Sequence, residues 1–326
     1  MNTSMWGIGL ASLVISCVLV ACGARAETVT PFADPATVAG SISITGSSTV
    51  FPLTAAVVEA FADEGSSADI TVAVTGTGAG IERFCQQGDV DIVNASRPMT
   101  DEEQAVCRTN GRLATGFLVG TDALAVVVSA DNTFVEALSL SQLARIFSGD
   151  AITWDAVDPA YPPEPIALFS PGTDSGTFDY FVEKVFIGDS TALQQAPGIV
   201  LSENDNVLVD GIATDPTAIG YFGFAYYRAN QEQLRAVALE TSTAATDPVL
   251  PTAASVDDGS YVFARPLYIY TSTAILAEKP HVAAFIHYYL TNVTDFIDDV
   301  GYFPLEVTVS EQTRENFRHM VESTRE

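Results

Sequence analysis

The chain has 326 residues, 48% hydrophobic and 17% charged, which excludes a disordered polymer and fits one large or two ordinary buried domains. Asp and Glu number 41 against 14 Lys and Arg, a net charge of −27, and this excludes nucleic acid as a partner because its phosphates need a basic surface.

Residues 6–21 are almost wholly apolar but too short and too weakly flanked for a transmembrane span, and they read as an export leader. Leu19-Val20-Ala21-Cys22 resembles a bacterial lipobox, with Gly23 following, so that a lipidated Cys22 becomes the new N-terminus. Ala24-Arg25-Ala26 is a rival A-x-A cleavage site. No Lys or Arg precedes the apolar run, a departure from both patterns. The expected layout is a leader and tether start at residues 1–26, a linker at 27–40, and a protein of the periplasm or cell envelope held by lipid at Cys22. Export places Cys85 and Cys107 in an oxidising compartment, where an even pair reads as a disulfide.

From residue 41 a βα rhythm begins. Ile42 and Ile44 alternate with Ser43 as in a strand, Gly46-Ser47-Ser48-Thr49 turns the chain, and residues 50–63 carry Phe51, Val57, Val58 and Phe61 at helical spacing. A strand at 70–74 leads through Thr75-Gly76-Thr77-Gly78-Ala79-Gly80 into a helical stretch at 81–87. A third strand at 90–93 ends in Asn94-Ala95-Ser96-Arg97-Pro98, and Thr100-Asp101-Glu102-Glu103 is a capping box opening the helix of Cys107. Residues 124–128 are an apolar strand suited to carry the chain into a second domain, and 140–147 read as a short helix. The apolar run 166–169 meets Ser170-Pro171-Gly172-Thr173-Asp174-Ser175-Gly176-Thr177-Phe178, a small-residue loop opening another helix. A helix near 206–213, a strand at 218–222, a return crossing at 267–270 and helices at 281–290 and 311–321 complete the reading. Strands alternating with helices predict mainly parallel sheets covered on both faces.

Three strand-to-helix junctions, at 46–51, 76–81 and 173–178, share one chemistry. The first amides of a helix lack internal partners and carry partial positive charge, and hydroxyls add donors, so converging junctions form a nest for a tetrahedral oxyanion. No metal-ligand cluster, Walker A motif or G-x-S-x-G elbow is present, and no cofactor is expected.

Gly46-Ser47-Ser48-Thr49-Val50-Phe51-Pro52, Gly76-Thr77-Gly78-Ala79-Gly80-Ile81, Asp89-Val90-Asp91-Ile92-Val93-Asn94-Ala95-Ser96-Arg97 and Asp174-Ser175-Gly176-Thr177 occur in the order seen in periplasmic phosphate-binding proteins of Pst-type ABC importers. The chain resembles the cyanobacterial-type branch, and the similarity runs on through Ile219-Gly220-Tyr221-Phe222. The resemblance implies an α/β, two-lobed clamp of the type II periplasmic-binding-protein kind. Each lobe is a mainly parallel sheet flanked by helices, and two segments form the hinge. Lobe 1 is expected at 41–119 plus 267–326 and lobe 2 at 120–266. The implied activity is binding of inorganic phosphate and delivery to membrane permease subunits, by a monomer that is not an enzyme. A phosphate sensor or scavenger, a binder of sulfate or molybdate, and last a secreted phosphohydrolase are the alternatives.

The resemblance also implies the site residues. They are the hydroxyls of Ser48 and Thr49, the backbone N–H groups of Val50 and Phe51, the hydroxyl of Thr77, Ser96, and the cradle Ser175, Gly176 and Thr177. Two positions depart from the family pattern. Arg97 stands where the best-known members have a proton-accepting Asp, and Pro171 stands where they have an Arg. Arg97 is therefore the expected cationic fork. Asp174 is the first candidate for the proton acceptor and Asp205 the second.

Overall fold

The structure is a computed structural model that describes residues 1, 32–173, 175–240 and 247–324. The leader, Cys22, the first part of the linker and Asp174 lie outside the described residues. Pro31–Glu326 packs as one unit.

The strands in chain order are β1 (Ala39–Gly46), β2 (Ser67–Val74), β3 (Ile92–Ala95), β4 (Ala114–Ser129), β5 (Ala137–Ser139), β6 (Ala167–Pro171), β7 (Val200–Ser202), β8 (Ala218–Gly223), β9 (Leu234–Ala236), β10 (Ala238–Glu240) and β11 (Ala264–Ser272). The main sheet runs β2-β1-β3-β11-β4-β8-β6-β7, with β9 also on β4, and β5 pairs with β10 apart from it. β1 is parallel to β2 and β3, and β6 is parallel to β7 and β8. The two parallel groups are joined by antiparallel pairing of β11 with β3 and β4, and of β4 with β8. The mixed sheet agrees with a clamp whose parallel lobes are bridged by long strands.

β4 is that bridge. The apolar run predicts a strand only at residues 124–128, whereas β4 has 16 residues. Its first part pairs with β11, and its last part with β8 and β9. Gly116 and Gly120 hid the strand by interrupting the apolar run, and they are there for packing. A Cβ on Gly116 would stand 2.5 Å from Tyr270 Cε1, and one on Gly120 would collide with Ile297. β11 returns beside β4, with Arg265 opposite Asp122.

Two apolar cores lie on either side of this crossing. One gathers Val50, Val57, Phe61, Ile92, Phe117, Leu267 and Phe285; the other Val126, Phe147, Trp154, Phe181, Tyr221 and Phe263. Phe303, from the C-terminal stretch, belongs to the second core and contacts Phe224 at 4.7 Å between ring centroids. It also exchanges backbone hydrogen bonds with Thr121 on β4, at 2.8 and 3.0 Å. Tyr221 stacks on Phe181 at 3.8 Å between ring centroids, and Tyr221 and Phe222 are fully buried in this core.

Candidate functional site

β1 ends at Gly46 with φ +132°, a conformation that favours glycine, and a Cβ there would collide with Asn94 O. The close approach lets Ser47 N–H donate to Asn94 O at 2.9 Å, which docks the first loop on the end of β3. Thr49 N–H donates to Ser47 Oγ at 3.2 Å, and Tyr302 O–H donates to Thr49 O at 2.6 Å. Below the loop, Thr54 Oγ1 donates to Asn94 Oδ1 at 3.1 Å and meets the Tyr289 hydroxyl. The helix Phe51–Asp63 starts here with Val50 at its cap and no side chain capping it. Phe51 N–H is already engaged, donating to Ser47 O at 3.2 Å.

The second loop is bound to the first. Thr75 N–H and Gly76 N–H both donate to Gly46 O, and the short helix Thr77–Glu82 begins after Gly76 without a side-chain cap. Thr77 Oγ1 accepts from Ser96 N–H at 3.2 Å and lies 3.3 Å from Ser96 Oγ, which brings the second and third loops together. Cys85 and Cys107 are joined as a disulfide, tying the turn that follows Thr77–Glu82 to the helix Asp101–Thr109.

The fourth loop approaches from β6. Ser175 caps the helix Gly176–Phe186, its Oγ accepting from Thr177 N–H at 3.2 Å. A Cβ on Gly176 would stand 3.1 Å from Thr49 Oγ1 and 3.3 Å from Ser48 Oγ. Glycine thus lets this helix start touch the first loop.

The first three loops, with the helix Gly176–Phe186 and β11 on the other side, wall a cleft of about 440 Å³. Ser48, Thr49, Thr77, Ser96 and Arg97, all expected at the site, line it. Val50, Phe51, Ser175, Gly176 and Thr177 do not line it, although Gly176 abuts Ser48 and Thr49, and the Val50 side chain is fully buried. Asp205 is not on the wall either. It starts the helix Asp205–Thr214, where burial and the charge of Glu203 push its carboxyl up to about 6.

The charges are arranged differently from the sequence reading. Both Nη atoms of Arg97 are taken by Glu103, at 2.8 and 2.9 Å, and Nη1 also donates to Pro98 O. The pair holds the Glu103 carboxyl below its usual range. The opposite wall carries residues the sequence reading did not single out: Asp179, Tyr180, Glu183, Lys184 and Arg265. Arg265 donates from Nε to Asp122 Oδ2 at 2.9 Å and from Nη2 to Gly176 O at 3.0 Å. Its guanidinium carbon lies 4.0 Å from the centre of the Tyr180 ring, close enough for cation–π attraction. Burial pushes the Asp179 carboxyl up, and the Arg265 charge opposes that rise. A signal for Asp122 and Arg265 was present: each is a lone charge among apolar and small strand residues, and such charges are rarely buried without a partner.

A family profile described as a PBP superfamily domain matches residues 33–293. The protein SphX of Synechococcus elongatus is 37% identical over 92% of this chain and 88% of its own. The phosphate-binding protein PstS of Staphylococcus saprophyticus is 33% identical over 91% of this chain and 89% of its own. The crystal structure of a possible phosphate binding protein from Planctomyces limnophilus superimposes with a TM-score of 0.81 at 36% identity, covering 87% of this chain and all of that one. The chain belongs to the PBP superfamily, within the family that holds these SphX and PstS proteins.

Proposed function

We propose that the protein binds inorganic phosphate non-covalently in the cleft and delivers it to the permease of an ABC importer. The observation that carries this reading is the meeting of Gly176, at the start of one helix, with Ser48 and Thr49 before another, beside Thr77 and Ser96. Uncapped helix starts and hydroxyls supply neutral donors, so an anion is held without a basic surface, in agreement with a net charge of −27. The names of the relatives point to the same ligand.

The proposed ligand set is the hydroxyls of Ser48, Thr49, Thr77 and Ser96, the backbone at Val50 and Phe51, the helix start at Ser175, Gly176 and Thr177, and Arg97 at the lip. Phe51 N–H and Thr177 N–H share their hydrogens with Ser47 O and Ser175 Oγ, so their contribution to the anion is secondary. Two lobes, at 41–119 plus 267–326 and at 120–266, close about the strands that cross between the two cores. Those cores support the division except at Phe303, which packs with the second core. The leader, with Cys22 as lipid anchor, supports residence in the periplasm or cell envelope. Among the described residues no helix is long and apolar enough to cross a membrane.

A protonated phosphate needs an acceptor where sulfate does not, and an unpaired carboxylate facing sulfate costs several kcal/mol. Asp174 is assigned that role from its place in the Asp174-Ser175-Gly176-Thr177 motif. Isothermal calorimetry on the purified protein is expected to show tight phosphate binding and much weaker sulfate binding, with Asp174→Asn narrowing the gap. A flat phosphate titration refutes the reading.

A further inference from the structure

We propose that Arg265, held in place by Asp122, carries the positive charge that meets the bound anion. The inference rests on the phosphate reading of the cleft and names the cation of that site.

Arg265 and Asp122 face each other on β11 and β4, where the chain passes between the two apolar cores. Their side chains are 7% and 5% exposed. A guanidinium buried so deeply needs a counter-charge and hydrogen bonds, and the Nε bond to Asp122 supplies the charge. Nη2 holds Gly176 O, and the Tyr180 ring covers one face. Three contacts fix the plane of the fork. Nη1 has no hydrogen-bond partner among the described residues, and Arg265 lines the cleft. A fixed, buried, cleft-lining donor is the arrangement in which a charge-assisted hydrogen bond is strongest.

The other cations on the wall are worse placed. Arg97 has both Nη atoms on Glu103 and a side chain 39% exposed. Lys184 is exposed, with Nζ 5.7 Å from the centre of the Tyr180 ring. Pro171 removes the cation expected in the fourth loop, and Arg265 reaches the same helix start from β11. A bond from Nη1 to the anion joins three parts: the crossing strands through Asp122, the cradle through Gly176, and the ligand. Closing the cleft and recognising the charge then become one event.

Calorimetric titration of phosphate into wild type, Arg265→Lys, Arg265→Gln and Arg97→Gln tests this. Arg265→Gln is expected to weaken phosphate binding about 10- to 100-fold, the loss of one hydrogen bond to a charged group. Arg265→Lys keeps the charge but cannot span Asp122, Gly176 and the anion together, so it is expected to lose about tenfold. Arg97→Gln is expected to lose less than either. Arg265 variants that bind within threefold of wild type, or an Arg97→Gln loss exceeding theirs, overturn the inference. Should the single Arg265 variants not fold, the double variant Asp122→Asn/Arg265→Gln removes both buried charges. Weakened phosphate binding by that folded double variant supports the inference, and unchanged binding overturns it. A flat wild-type titration refutes the phosphate reading itself and the inference with it, whereas equal binding by wild type and variants refutes the inference alone.

Discussion

Gly176→Ala separates closing of the cleft from stability of the fold. Gly176 is the first residue of its helix, and its φ lies outside the left-handed region, so alanine suits the backbone. By itself the change stabilises a chain by about 0.4–1 kcal/mol, through lost freedom in the unfolded state. The new methyl would stand 3.1 Å from Thr49 Oγ1, 3.3 Å from Ser48 Oγ and 3.4 Å from Thr49 N. Thr49 cannot step back freely, because its carbonyl is held by Tyr302 and its N–H by Ser47. Overpacking of this size costs about 1–3 kcal/mol, or roughly 5- to 150-fold in affinity. The cost falls where the fourth loop meets the first, which is where the anion is proposed to sit. If the two lobes open without ligand, as proposed, the contact is relieved there, so ligand-free melting is expected to stay level or rise slightly, while calorimetry shows weaker phosphate binding. Phosphate at one hundred times the wild-type Kd stabilises wild type by about 2.7 kcal/mol, and a variant tenfold weaker by about 1.4 kcal/mol. Phosphate affinity within twofold of wild type, with normal melting, would refute the contact as a feature of the bound state.

Thr77→Val removes the acceptor for Ser96 N–H and a cleft hydroxyl, and is expected to cost about 1–3 kcal/mol of phosphate binding, read by calorimetry. Asp205 titrates near 6 in the folded protein against 3.8 ordinarily, so the folded state binds its proton more tightly and stability falls as pH rises from 3.8 to 6. Asp205→Asn is thus expected to melt higher than wild type at pH 8 by about 1 kcal/mol, after discounting for solvent screening, and to match it near pH 4; equal melting at both pH values contradicts the shift. Reduction of the Cys85–Cys107 disulfide, whose partners are 22 residues apart, is expected to lower stability by about 3 kcal/mol, and thermal melts with and without dithiothreitol measure it.

The longer helices and the site loops were legible because their signals are local, whereas the short helices Trp154–Val157, Thr191–Gln194, Phe224–Ala229, Ala253–Asp257 and Thr273–Glu278 span too few turns for a period to show. The Thr100–Glu103 box caps its helix as the spacing predicts, with both reciprocal bonds made. The hydroxyl and glycine clusters at 47–49 and 76–78 wall the cleft, because short side chains let hydroxyls and backbone face it. The long strand β4 was only half visible, since Gly116 and Gly120 are set by Tyr270 and Ile297, neighbours distant in sequence. β5, β7, β9 and β10 have three residues each, too few for any period to show.

The division between sequence and tertiary structure is clearest in the charges. Sequence alone determined that the chain is an acidic α/β protein with small-residue junctions suited to an anion, because composition and short-range spacing decide helix starts and strand ends. It also showed that Pro171 leaves the fourth loop without a cation. Only the tertiary structure decided where the cations stand. Arg97 is six residues from Glu103, and the helix start between them turns the guanidinium onto that carboxylate. Arg265 lies 143 residues from Asp122, and antiparallel pairing of β4 with β11 places the two side by side. Coulomb energy depends on separation and burial in space, and chain distance carries neither.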